Sequence, residues 1–234
     1  MSPLQESPLK KLHPTQLTVG MIEVNKKRKH LAQLNADEKR EFMKKHPMPA
    51  VVGPEGKLYI TDHHHLGRAA LEADLDTGFF EIVADLSKLT GDAFWKEMER
   101  RAWVHPLDQN GVRHQFDQIP HHLDGLVDDI YRSLAGFVRD QGYAKTPTPF
   151  AEFVWADFFR RLIPIEDVKA DFDSVVTRAI QLAKSDGRRG CRVTNSRAAA
   201  IGSDEGANVA ARGPSTGAQG ASGAPRCAPL LWLP

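Results

Sequence analysis

Cysteine is nearly missing from this 234-residue chain, which has only Cys191 and Cys227. Two thiols cannot make a disulfide framework or a four-thiolate zinc site, so a reducing, cytoplasmic setting is the expectation. No apolar run approaches the roughly 18 residues that a membrane-crossing helix needs. The opening MSPLQESPLKK lacks the apolar stretch of a secretion signal, so secretion is not expected. Neither sign of charge dominates, with 31 Lys+Arg against 30 Asp+Glu. What is present is core material: 41% of the residues are hydrophobic, too many for a wholly disordered chain. The length suits one large domain, or one domain with an added lobe.

The averages hide a change near residue 187. The last 48 residues hold 10 Ala, 8 Gly and 6 Arg, with no Lys or His, and both cysteines lie there. Such a stretch has no helical or strand period. It cannot bury enough apolar area to offset its ordering entropy, so 187–234 reads as a disordered tail. The body, 1–186, holds all 10 histidines. Its charge is 25 Lys+Arg against 28 Asp+Glu, a net of −3. A DNA-reading segment is normally basic, since phosphate neutralisation supplies much of its affinity, so nucleic acid is not the expected partner.

Within the body, Pro14 blocks an early helix, and Leu12 to Leu17 reads as extended. Val19 to Leu34 carries a helical pattern. Asn35 caps a second helix, Ala36 to Lys45, with Asp37 and Glu38 in its first turn. Ala50 to Val52 and Lys57 to Thr61 read as strands of a hairpin around Gly53-Pro54-Glu55-Gly56. A helix over Leu66 to Ala73, a strand over Phe79 to Ala84 and a helix over Thr90 to Arg101 follow. Beyond Trp103 the pattern is helical: Leu123 to Arg139, Phe150 to Leu162 after a break at Pro147-Thr148-Pro149, and Ile165 to Lys184. The expected fold is therefore α/β (α+β). Residues 1–101 form a small mixed sheet with flanking helices, 102–186 an all-helical lobe, and 187–234 the tail.

The most informative stretch is strand–Asp62-His63-His64-His65-Leu66-Gly67-Arg68–helix. A strand that feeds directly into a helix leaves unpaired amides and a favourable dipole for an anion. His63, His64, His65 and Arg68 can add hydrogen bonds to phosphate oxygens. Asp62 can hold a histidine tautomer or contact a magnesium ion. Set against this, Asp62 can simply cap the helix, and a His-rich turn is a common surface feature. Upstream, Glu23 sits on an early helical turn, where an ionised carboxylate can take a hydroxyl proton during phosphoryl transfer. A first-turn glutamate that only steadies the dipole is the plainer alternative. The run Lys26-Lys27-Arg28-Lys29-His30 can steer an anionic nucleotide or form a solvated helix face. Arg132-Ser133 reads as a helix surface on which Arg132 pairs Asp128 or Asp129.

The ordered pieces LHPTQLTVGMIEV and HPMPAVVGPEGKLYITDHHHLGRAAL resemble the ParB/sulfiredoxin superfamily, closest to its ParB-like nuclease branch. So do Asp128 to Ala135 and Pro149 to Phe158. The resemblance runs from about His13 to Leu182. It implies that the strand-to-helix motif, often Asp-Gly-His-x-Arg, binds nucleotide phosphates, with Asp62 and His64 at the matching positions. His63 stands where glycine is usual and Leu66 where arginine is usual; Arg68 lies two residues on. The resemblance also implies that Glu23 matches the general-base glutamate of small-molecule kinases in the superfamily. No basic recognition helix follows, so the chromosome-partitioning role of other members does not carry over.

The expectation is a nucleotide-binding protein that works on phosphoryl groups of a small molecule, with Glu23, Asp62 and His64 as catalytic residues. His63, His64, His65 and Arg68 would hold phosphate, and Asp62 would hold Mg2+. The expected ligands are a nucleotide (ATP/ADP or CTP) and a small-molecule substrate. Phosphodiester hydrolysis and a non-catalytic nucleotide-responsive module that binds another protein are the alternatives.

Overall fold

A computed structural model of the chain describes residues 4–143 and 149–188. The chain divides into two units, Met1–Ala183 and Lys184–Pro234. The elements below belong to the first, apart from the end of the last helix. From residue 189 onward the expected disordered tail lies outside the described residues, as does most of the break at 147–149.

A five-stranded mixed sheet has the order β1-β6-β4-β5-β2. It is built from β1 (Gln5–Pro8), β2 (Leu12–His13), β4 (Met48–Val52), β5 (Leu58–Ile60) and β6 (Thr77–Asp85). The expected hairpin is there: β4 and β5 pair antiparallel, with Ala50 opposite Ile60 and Val52 opposite Leu58. β6 joins β4 in parallel, and β2 joins β5 in parallel. Edge strand β1, antiparallel to β6, is too short and polar to show a period in the sequence. Between β2 and β4 lie β3 (Thr18–Val19), α1 (Met21–Ala32) and α2 (Ala36–Lys45). Asn35 caps α2 as expected: its side chain accepts from Glu38 N at 3.0 Å while Glu38 accepts from Asn35 N at 2.9 Å. α3 (His64–Glu72) leaves β5 almost at once, and α4 (Gly91–Arg100) follows β6.

The sheet's core gathers Leu12, Val24, Leu31, Met48, Ile60, Ala69, Ala70 and Phe80, all fully buried. Burying each large apolar side chain contributes about 1.5–3 kcal/mol before entropy is counted. A second cluster, around Leu134, Phe159, Val168 and Ala179, lies in the helical lobe. The lobe comprises α5 (Ile130–Val138), α6 (Ala151–Leu162), α7 (Ile165–Ala170) and α8 (Phe172–Arg188).

Two expected helices differ from the observed ones. The span from Leu123 to Arg139 is a 3-10 turn at Leu123–Gly125, then β7 (Val127–Asp128), and helix only from Ile130. Asp129 causes the delay. Its carboxylate accepts from Tyr131 N at 3.0 Å and Arg132 N at 3.3 Å, which fixes it as the N-cap. Just before it, β7 pairs with β3 in parallel. The span from Ile165 to Lys184 breaks at Asp171, where φ is −150° and ψ is 86°. The Asp171 carboxylate then accepts from Ser174 N at 3.0 Å and starts α8.

α1 lies against both α3 and α5. Its N-terminus touches α5 so closely that Gly20 has no room for a side chain. A Cβ there would sit 2.5 Å from Ser133 Oγ and 2.6 Å from Ser133 N. Gly20→Ala is therefore expected to cost about 2–3 kcal/mol, a Tm drop of roughly 4–12 °C. A thermal melt checks it, and a variant as stable as wild type would contradict this packing.

Candidate functional site

The strand-to-helix turn is shaped by left-handed backbone. His63 has φ 63° and ψ 24°, and its amide donates to Asp62 Oδ1 at 2.6 Å. This is the conformation glycine adopts most easily, at a cost of about 1–2 kcal/mol for other residues. Thus His63, at the position where the motif usually carries glycine, holds a backbone conformation that suits glycine. Asp62 and His63 are exposed, whereas His64 and His65 are buried.

His64 and His65 point inward in different directions. The Nε2 of His64 accepts the backbone N–H of Thr15 at 3.1 Å. Thr15 Oγ1 also lies 3.3 Å from that nitrogen, but its proton goes to the carbonyl of Ile60 at 2.8 Å. The Nε2 of His65 accepts the N–H of Gly20 at 2.9 Å. An amide donates only to a lone pair, so both rings are neutral with the proton on Nδ1. Burial, reinforced by the charge of Arg132 and other nearby cations, holds both well below the usual histidine range. The 3.7 Å approach of Glu23 Oε2 to His65 Nε2 is consequently a contact with a neutral ring, not an ion pair.

These bonds dispose of two helix N-termini differently. At α1, Gly20 N is met by His65, Met21 N by Asp128 Oδ1 at 2.9 Å, and Ile22 N by Ser133 Oγ at 3.2 Å. That N-terminus is closed by side chains. At α3, the first intrahelical bond is from Gly67 N to His63 O at 2.9 Å. The amides of His64, His65 and Leu66 have no acceptor among the described residues.

Arg68 is engaged by protein partners. Its Nε bonds Glu72 Oε1 at 2.6 Å, and its Nη1 donates to the carbonyls of Leu123 at 2.8 Å and Asp124 at 2.6 Å. It ties α3 to the segment before the lobe and has little left for a ligand. Glu23, 18% exposed at its side chain, lies between α1, α3 and α5 with Lys27 Nζ at 3.4 Å. A Cβ at Gly136 would come within 2.7 Å of Glu23 Oε2, so a glycine in α5 makes space for this carboxylate. Structure therefore brings Glu23 and His65 together, sets Asp62 and His63 at the surface, and spends Arg68 elsewhere. No hydrogen bond or ion pair joins Asp62 to Glu23 among the described residues.

The cationic run on α1 divides by face. Lys27 pairs with Glu23 and Arg28 approaches Glu72 at 3.8 Å, while Lys26 lies 5.1 Å over the Phe137 ring. Lys26, Lys29 and His30 line an open groove of about 580 Å³ with Ile22, Asn25, Gln33 and Phe137.

The sequence did not mark the lobe's charged residues as part of this neighbourhood. Arg139 Nη1 bonds Glu152 Oε1 at 2.8 Å, and Arg132 Nη2 is 3.9 Å from Glu152 Oε2. Asp128 and Asp129, the partners expected for Arg132, are occupied by Met21 N and by Arg160 respectively. The signal was the i, i+4, i+7 spacing of Arg132, Gly136 and Arg139, which share one face of α5. Among the described residues, no three His, Cys, Asp or Glu side chains converge as a metal ligand set. None of the described helices is long and apolar enough to cross a membrane.

A family model described as "Putative ParB-like nuclease" matches residues 5–161. The chain belongs to this ParB-like nuclease family. It is also similar to a solved structure, "Crystal structure of protein Atu1540 from Agrobacterium tumefaciens". The identity is 39% and the TM-score 0.74, over 80% of this chain and 93% of that one. No curated protein matches.

Buried neutral histidines make stability depend on pH. His105 is held near 3 and His13 near 4, chiefly by burial, alongside the depressed His64 and His65. Each folded value lies below the unfolded one, so the unfolded chain binds more protons under pH 6.5. The stabilisation is complete above about pH 6.5 and is lost on acidification, by up to about 1.4 kcal/mol per pH unit for each fully buried ring. His114, raised by its hydrogen bond to Asp108, acts in the opposite sense but is solvent-accessible and weak. Tm should fall steeply between pH 7 and pH 5, and His105→Phe should flatten the slope. A flat profile across that interval would refute the neutral-histidine assignment.

Proposed function

We propose that this chain binds a nucleotide through its phosphates at the N-terminus of α3 and acts on a phosphoryl group, with a small molecule as the second substrate. One observation carries the reading: α1 has its first amides capped by His65, Asp128 and Ser133, whereas those of His64, His65 and Leu66 have no acceptor among the described residues. Three amides and a helix dipole at an exposed left-handed turn form a site of the kind that receives phosphate. Asp62 and His63 border it on the solvent side.

His64 and His65 hold the turn in shape, because their Nε2 lone pairs are taken by Thr15 and Gly20. Phosphodiester hydrolysis, which the family description suggests, would draw on a histidine base with an open lone pair or on clustered carboxylates. The residues at this turn favour phosphoryl chemistry that rests on positioning and charge. Glu23 is the carboxylate best placed to accept a substrate proton, since Lys27 and a neutral His65 are its close neighbours.

A nucleotide would be ATP/ADP or CTP with Mg2+. Asp62 suits the cation, since Mg2+ is commonly held by one or two carboxylates together with phosphate oxygens. Asp62 Oδ1 serves the His63 amide, which leaves Oδ2 for that role. The metal would neutralise phosphate charge.

A thermal-shift panel of nucleotides with and without Mg2+ tests the binding. A ligand at 100 times its Kd raises stability by about 2.7 kcal/mol, which is readily seen. No shift with any nucleotide would remove the reading. In a turnover assay with the responding nucleotide, Glu23→Gln is expected to lower the rate at least 100-fold while the thermal shift persists. Undiminished turnover in that variant would exclude Glu23 as the base.

A further inference from the structure

The groove beside α1 holds positive charge that its own chain does not answer. Lys27 and Arg28 have Glu23 and Glu72 as neighbours, but Lys26 and Lys29 have no carboxylate partner among the described residues. Both lysines are exposed. With His30 they edge a groove of about 580 Å³ that also exposes Ile22 and Phe137 and is lined by no acidic side chain. Lys26 Nζ stands 5.1 Å from the Phe137 ring centroid, so cation and apolar floor belong to one surface.

A surface of opposite character adjoins it. Phe137 packs edge-on against Phe172, with ring centroids 5.3 Å apart. Phe172 opens α8 and stands between Asp171 and Asp173, directly after α7. From Leu162 to Asp173 the chain carries Glu166, Asp167, Asp171 and Asp173 against one cation, Lys169. Asp167 pairs with Arg178 at 3.3 Å, and Asp171 caps α8. Glu166 and Asp173 are exposed and have no cation partner among the described residues. The same ridge leaves Leu162 45% and Ile165 39% exposed.

A cationic groove with an apolar floor and an acidic ridge with apolar side chains are complementary. Within one chain no ion pair joins them among the described residues. Complementary patches that lie side by side suit a two-fold contact, because a half-turn sets each groove against the other copy's ridge.

We propose that the groove of α1 receives a second copy of this chain, which enters with its ridge from Leu162 to Asp173 and offers its own groove in return. Leu162 and Ile165 supply apolar area for the floor, and Glu166 and Asp173 answer Lys26 and Lys29, which fixes the register. The inference stands apart from the nucleotide reading.

Sedimentation velocity of the full chain at low and high salt tests this, using wild type, Lys26→Glu/Lys29→Glu and Glu166→Lys/Asp173→Lys. Wild type should dimerise, and more weakly at high salt. Each double variant alone should dimerise about tenfold more weakly or worse, since both of its contacts set like charges together. An equimolar mixture of the two should regain the dimer, because every groove then meets a ridge of opposite sign. Mixing does not repair a misfolded chain, so recovery also shows that the variants are folded. If one variant fails to fold, the loss of dimer in the other decides. A dimer that both variants leave intact overturns the proposal, as does a weakened dimer that mixing of folded variants fails to restore. A monomeric wild type also overturns it; if that monomer binds a poly-glutamate peptide through Lys26 and Lys29, the groove belongs to an acidic segment of another protein.

Discussion

Two nitrogen lone pairs organise this molecule. The Nε2 atoms of His64 and His65 accept the amides of Thr15 and Gly20, residues 49 and 45 positions earlier. One bond pins the stretch after β2 to the start of α3; the other pins the start of α1. Both work only while the rings stay neutral, because a protonated imidazole cannot accept. A pair of adjacent side chains thus sets the position of α1, and with it the place of Glu23, by a proton that burial keeps away.

Much of this was legible in the sequence, and particular residues show why. Asn35 with Glu38 three residues on is a local capping signature, and it forms as expected. The alternation around Gly53 to Gly56 names a hairpin without tertiary help. The sheet with flanking helices, followed by helices, came from such local signals and from the family likeness. Local signals fail where distant partners decide. The run from Leu123 to Arg139 has apolar residues at helical spacing, yet β3 captures Val127 and Asp128 in a parallel pair, so helix waits for Asp129. β1 has only four residues and depends on β6 for its identity.

The candidate site divides in the same way. That an anion-receptive turn lies at Asp62 to His65 follows from strand-to-helix order alone. How its histidines are used does not, because Thr15 and Gly20 are remote in sequence. The left-handed turn at His63 was marked only by the family's glycine at that position. Arg132 was hardest to read: its expected partners lie next to it in sequence, and both have been drawn off by Met21 N and Arg160. The carboxylate it has instead, Glu152 at 3.9 Å, stands on another helix, and no short pattern marks that pairing.

The closing of α1 by side chains has a further consequence, for the order in which the chain can assemble. Asp128 and Ser133 meet Met21 and Ile22 across 107 and 111 residues of sequence. When the first hundred residues have emerged, Gly20 N can already meet His65, but the native partners of Met21 N and Ile22 N are still to come. Those amides find their partners only after Ser133 has left the ribosome. Contacts of such separation carry a loop-closure cost before they return any stability, which slows the search. The start of α1 thereby depends on a segment encoded far downstream, although the strands of the five-stranded sheet find all their partners within residues 5–85.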